Sequence, residues 1–278
     1  MADAVRATPT AALRQGAGLL GALARPWETA SRAAGQAAGA ARFLGQNTAA
    51  TPGSVLLARR GGDWHFEVVD VPLADLKAGA KAAGGSLNDG LLAAVIGGFR
   101  RYHEQHGAPD DRLAVGFPIS LRSKDDPQGG NRFTGAKFAA PMAETDPAAR
   151  IAAVRQFVLN ARAASAAAAD TVPAALAPVL GWLPAPVVSR VSGRLTSTND
   201  VQVSSIPGVP YPVYIAGSRI THMYPFGPLP GCAAMITLIS HDGECCIGIN
   251  TDTLAITDPG QLAEDLRAGL DEVVALGG

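Results

Sequence analysis

The chain has 278 residues, 47% of them hydrophobic, and a formal net charge of −1. This is enough apolar material for a sizeable core and too much for a disordered chain, and the scattered charges form no basic stripe for nucleic acid. Three cysteines, Cys232, Cys245 and Cys246, make an odd set whose adjacent pair would strain any mutual disulfide, with no Cys/His spacing for zinc; this argues for a reducing compartment and no structural metal. Residues 1–52 are rich in Ala and Gly, and Pro26 splits two weakly amphipathic runs, 10–25 and 27–44. They read as a helical arm rather than a core. The short apolar run 19–24 does not make a signal peptide, and nothing reaches the ~18 consecutive apolar residues of a membrane span. The expectation is a soluble or peripheral protein. The GxGxxG match at Gly16 to Gly21 has no preceding strand and no acidic residue downstream, so the logic of dinucleotide binding lacks its context.

From Trp64 the pattern changes: alternation through Val71 predicts a strand, residues 73–83 a helix, and Gly84-Gly85 a stop. Ser86 followed three residues later by Asp89 marks the start of the central helix, in which Leu87, Leu91, Val95 and Phe99 form one face and Leu92 and Ile96 a second. A helix apolar nearly all round is buried. Asn88 and Asp89 are then polar groups at a buried tip, where each needs a partner. Local capping accounts for the residue types taken alone. Gly107 ends the helix; residues 113–121 and 132–140 read as strands around a glycine-rich loop in which Asp125-Asp126 is a solvated turn rather than a cation site.

Asp146-Pro147 starts a long helix to about Ala169, and a second apolar helical stretch over residues 172–191 is broken at Trp182-Leu-Pro184. Residues 201–206, 213–220 and 233–250 supply four more strands, the last two joined by Asp242-Gly243, whose residue types suit the positive φ of a tight hairpin. Residues 258–276 form an amphipathic helix with Leu262, Leu266, Leu270 and Val273 on one face. Interleaved strands and helices predict an α/β layer with a mixed sheet.

No GxSxG, HExxH, P-loop or CxxC occurs, so the common self-sufficient catalytic signatures are absent. Among the five histidines, His103 and His106 suit the end of the central helix, and His65 lies in a strand. His241 beside Asp242-Gly243 is the most tempting base. The hairpin turn explains the Asp-Gly, and a histidine on the flanking strand needs no catalytic role.

Taken as an ordered set, Asn88-Asp89, Pro118-Ile-Ser-Leu-Arg122, Gly130-Asn-Arg-Phe133, Asp146-Pro147 with Arg150, Ser204-Ser-Ile-Pro-Gly208, Pro212 to Gly217 and Tyr224-Pro-Phe-Gly-Pro228 resemble the bacterial wax ester synthase / diacylglycerol acyltransferase family. The resemblance runs from about Pro52 to the C-terminus, giving a 1–52 arm like the segment between that family's two lobes and a 53–278 C-terminal lobe. It implies a chloramphenicol-acetyltransferase-like α/β fold: two lobes with a channel between them, acyl-CoA entering as substrate on one side and the acceptor alcohol on the other, and no cofactor.

In such enzymes the general base is the second histidine of HHxxxDG on the first lobe. That motif is absent here, and His241-Asp242-Gly243 lacks the paired histidines. No catalytic residue is therefore assigned. The resemblance carries over only a supporting site: Asn88, Asp89, Asn131, Ser205, Pro207 and Gly208. Gly90 stands where a larger apolar residue is usual, and Ser205 where asparagine is usual. The implied protein is the C-terminal lobe of an O-acyltransferase making triacylglycerol or wax ester, inactive alone. It would need a first lobe from another chain or a longer parent, would self-associate without one, and would work in the cytoplasm or peripherally on membrane or lipid droplets. The alternatives are a non-catalytic acyl-lipid-binding or scaffolding lobe and a truncated remnant.

Overall fold

A computed structural model describes residues 53–109, 112–120, 133–169, 199–229 and 231–278. The expected arm over 1–52, the loop carrying Asn131 and the apolar stretch 172–191 lie outside the described residues. Contacts divide the chain into two units; the larger, Asn47–Ala166 with Leu183–Gly278, holds the fold that follows.

The elements run β1 (Trp64–Pro72), α1 (Leu73–Ala82), α2 (Leu87–Gln105), β2 (Ala114–Ser120), β3 (Phe133–Ala139), α3 (Pro147–Ala169), β4 (Val201–Ile206), β5 (Val213–Ile215), β6 (Ser218–Ile220), β7 (Ala234–His241), β8 (Glu244–Asp252) and α4 (Pro259–Val274). Six strands form one mixed sheet in the order β1-β8-β7-β4-β2-β3. The central pairs β2–β4 and β4–β7 are parallel and the outer pairs antiparallel. The mixed α/β layer read from the interleaved pattern is the one observed.

The central helix is the core of the packing. In α2 Leu91, Leu92, Val95, Ile96 and Phe99 are all buried, and Val95 and Leu91 meet Val69, Ile236, Ile247 and Ile249 of the sheet together with Leu266 and Leu270 of α4. The predicted face of α4, Leu262, Leu266, Leu270 and Val273, is buried as read. Two helices this close need small residues where they cross. A methyl on Gly98 would lie 2.8 Å from Leu266 Cα, and one on Gly269 would strike the Ala94 carbonyl. Gly90 plays the same part against α1, where an added carbon would lie 2.7 Å from Ala80 Cβ.

One expectation is corrected. Residues 213–220, read as a single strand, are two short strands paired as a separate hairpin, β5–β6. Ala216 at φ 50° and Gly217 at φ 82° make the turn between them. Alanine rarely adopts a left-handed conformation, so the sequence gives little sign of it. The Asp242-Gly243 turn has the predicted form, with φ of 47° and 92°.

Candidate functional site

The tip of α2 is built as its sequence indicates. Ser86 is the N-cap, its hydroxyl accepting from Asp89 N, while the Asp89 carboxylate accepts from Ser86 N at 2.7 Å, completing a reciprocal capping box. The same Oδ2 also accepts from the Ser86 hydroxyl at 2.8 Å and from Arg155 Nη1 at 3.3 Å. Asp89 thus caps its own helix and ties it to α3. It is buried, its side chain 3% exposed, whereas the Arg155 side chain is 44% exposed. Asn88 departs from expectation: it is exposed, because the capping geometry turns Asp89 inward and leaves its neighbour facing out.

A cavity of about 320 Å³ opens at this tip. Ser86, Asn88 and Asp89 form its polar end, Leu92, Phe117 and Pro118 one apolar wall, and α3 the other. The α3 wall is Arg155, Val158, Leu159 and Arg162, four residues at helical spacing on one face. Phe117 and Pro118 lie in the middle of β2, so the cavity is flanked by the tip of α2, the sheet at β2 and one face of α3.

The other expected site residues are placed differently. Ser205 lies in β4, half-buried, and its side chain makes no hydrogen bond among the described residues. Pro207 is exposed, and Gly208 N donates to Ser240 Oγ at 3.3 Å. A side chain at Gly208 would collide with the Ser240 carbonyl, so the Pro-Gly element is explained by close approach to β7. No hydrogen bond among the described residues joins Ser205, Pro207 or Gly208 to Asn88 or Asp89.

Among the described residues the titratable groups offer no self-contained catalytic centre. His241 is buried and donates from Nε2 to the Ile220 carbonyl at 3.0 Å, fastening β6 to the end of β7; its buried Nδ1 has no hydrogen-bond partner among the described residues. Asp242, in the turn, is ion-paired to Arg219. His103 is buried with Nδ1 on the Phe99 carbonyl at 2.7 Å and Nε2 facing the Ser54 hydroxyl at 2.9 Å. All three cysteines are free and buried. Burial pushes the Cys232 thiol up to about 11 and Cys245 up to about 12, and raises Cys246, so none is a ready nucleophile. Tyr224 is raised to about 12 by burial and by donating to Asp70 Oδ2 at 2.7 Å, which anchors the 221–229 segment to β1.

A second charged cluster was not foreseen. Arg150, at the start of α3, is fully buried and pairs with Glu272 of α4, which also takes Arg101 of α2. Gly97 makes room: a methyl there would lie 2.6 Å from Arg150 Nη2. Burial raises the Glu272 carboxyl, but the hydrogen bonds from Arg150 and Arg101 outweigh it and hold the group below its ordinary value. This cluster sets the start of α3, and thereby the wall of the cavity.

Comparison with known proteins agrees with the fold. Residues 129–273 match the family described as WS/DGAT C-terminal domain. Over 257 residues the chain is 40% identical to a Mycobacterium tuberculosis protein, Rv2484c, that carries the name diacylglycerol O-acyltransferase; the match covers 92% of this chain and 51% of that protein. The chain spans about half the length of the curated relatives it matches. Among solved structures, the wax ester synthase/diacylglycerol acyltransferase of Marinobacter aquaeolei VT8 superposes with a TM-score of 0.61 at 16% identity, over 89% of this chain and 57% of that one. The EpoB cyclization-docking bidomain of Sorangium cellulosum gives 0.55 at 16% identity, over 93% and 51%. At such identities these likenesses concern the fold.

Proposed function

The chain belongs to the WS/DGAT C-terminal domain family, and from that premise we propose that it is the C-terminal lobe of an O-acyltransferase. The lobe works with an HHxxxDG-bearing first lobe, on another chain or in a longer parent, to move an acyl group from acyl-CoA to diacylglycerol or a long-chain alcohol. The observation that carries this reading is the pairing of length with chemistry. The chain spans about half the length of the curated relatives it matches, and the histidine nearest in motif to a base, His241, is spent on a backbone carbonyl.

The role of this lobe is then to supply channel wall and substrate contacts, with Asn88 and Asp89 at the tip of α2 shaping one end. Acceptors of this class are water-insoluble, so the lobe operates at a lipid surface. No helix among the described residues is long and apolar enough to cross a membrane. The test is to assay the purified chain for acyl transfer to diacylglycerol and to a long-chain alcohol. Background rates are expected. Turnover well above background that disappears in His241→Ala would overturn the division of labour.

A further inference from the structure

The supporting site read from the sequence stops at the tip of α2, yet the cavity continues along α3 to a second arginine. Arg155 and Arg162 are seven residues apart on one helix, which places them about 10 Å apart along its axis at ~1.5 Å per residue. Between them Val158 and Leu159 face the same cavity, with Leu92 and Phe117 opposite. Arg155 is partly neutralised by Asp89. Arg162 is exposed, lines the cavity and forms no ion pair among the described residues. Asp89, the one carboxylate among the described residues of the wall, already accepts three hydrogen bonds through Oδ2. The described part of the wall therefore carries one more positive charge than negative, set beside an apolar trough.

We infer that this cavity is a subsite for a phosphate ester carried on a flexible, uncharged arm, with Arg162 holding the phosphate and the Val158–Leu159 trough holding the arm. A guanidinium is the side chain best matched to a phosphate, offering two parallel N–H donors and a permanent charge. A volume of about 320 Å³ holds roughly ten waters at ~30 Å³ each. That is room for part of a coenzyme A molecule or for a phospholipid headgroup with the start of its chains. The acyltransferase reading, on which this inference rests, favours the phosphorylated arm of the acyl thioester as the source of the phosphate. Asp89, in tying Arg155 to the tip of α2, positions the cavity's polar end and leaves Arg162 to meet the ligand.

The experiment is equilibrium binding to the full chain by calorimetry, with coenzyme A, pantetheine, dihexanoyl phosphatidic acid and inorganic phosphate as probes. Wild type is expected to bind coenzyme A at least tenfold more tightly than pantetheine, which lacks the phosphates, and to bind inorganic phosphate more weakly than coenzyme A. Arg162→Gln should weaken coenzyme A at least fivefold and leave pantetheine unchanged, and the loss should shrink as salt is raised. Tighter binding of phosphatidic acid than of coenzyme A, with the same Arg162 dependence, would support the phosphate-ester subsite and identify its source as lipid. Equal affinity for coenzyme A and pantetheine, or an Arg162→Gln variant that folds normally and binds every probe as wild type does, would overturn it. The assay requires no turnover. Phosphate-independent binding by a wild-type chain that still supports acyl transfer in a paired enzyme refutes this inference alone, whereas Arg162-dependent binding without transfer refutes the function alone.

Discussion

Removing the Glu272 carboxylate, as in Glu272→Ala, strips the shared partner from Arg150 and Arg101 at the junction of α2, α3 and α4. Arg150 is fully buried and Glu272 is 18% exposed, so the guanidinium left behind is an uncompensated buried charge. Breaking such a pair from one side costs ~3–5 kcal/mol. The residual exposure of Glu272 and the half-exposed Arg101 place the expected loss at the low end, about 3 kcal/mol. Arg150→Met is milder, about 1–2 kcal/mol, because methionine fills the volume and Glu272 keeps Arg101. The double variant Arg150→Met with Glu272→Ala should recover part of the loss, since the fully buried guanidinium is gone and Arg100 keeps Glu104. Urea unfolding of the three variants reads these values from the midpoints. Acid adds an independent check. The folded-state carboxyl lies below its unfolded value of about 4.3, so its stabilisation is present above that pH and is lost as pH falls through the folded value. Glu272→Ala should therefore flatten the acid limb of the stability profile. A Glu272→Ala loss under 1 kcal/mol, or a double variant as unstable as the sum of the singles, would refute the reasoning.

Further outcomes follow from other contacts. Asp89→Asn keeps an acceptor for Ser86 N but loses the charge facing half-exposed Arg155, so it should cost under ~1 kcal/mol, whereas Asp89→Ala removes the cap at ~1–2 kcal/mol; thermal melts that reverse this order would contradict the capping geometry. Gly98→Ala forces a carbon into Leu266 and should destabilise by ~1–3 kcal/mol, with chemical denaturation as the check and a neutral result ruling out the tight α2–α4 crossing. Trp64, Phe66, Val68 and Phe226 form an exposed apolar patch on and beside β1, with Phe66 edge-on to Phe226 at 5.0 Å. Such a patch on a sheet edge favours association, and Trp64→Ser with Phe66→Ser should lower the sedimentation-measured association of the chain; no change would move the sticky surface elsewhere.

How far the sequence could be read depended on the distance between interacting residues. The capping box at Ser86 and Asp89, the Asp242-Gly243 turn and the buried face of α4 are local patterns, and each stands as read. Arg150 was visible only as part of a helix start after Asp146-Pro147, because its burial depends on Glu272, 122 residues away. Asp200 carried no signal either, yet it accepts from Ser54 N and Ala114 N at 2.8 Å each and pairs with Arg60, joining three distant segments. The cavity went unseen for the same reason: Arg155 and Asp89 are 66 residues apart, and Arg162 is an ordinary surface arginine until α3 is laid beside α2. That Asp89 is buried and Asn88 exposed was not legible either, because a pair of polar residues at a helix tip does not reveal which one turns inward.

The central claim is that this lobe completes an acyltransferase whose base resides elsewhere. Its most direct test is the rate of acyl transfer from acyl-CoA to diacylglycerol when the full chain is mixed with a purified first lobe carrying HHxxxDG. The account predicts background rates for either component alone, a rate well above background for the mixture, and loss of that rate when the second histidine of the first lobe is replaced by alanine. Transfer by the chain alone, or a stable two-lobe complex that turns over no faster than its parts, would contradict it.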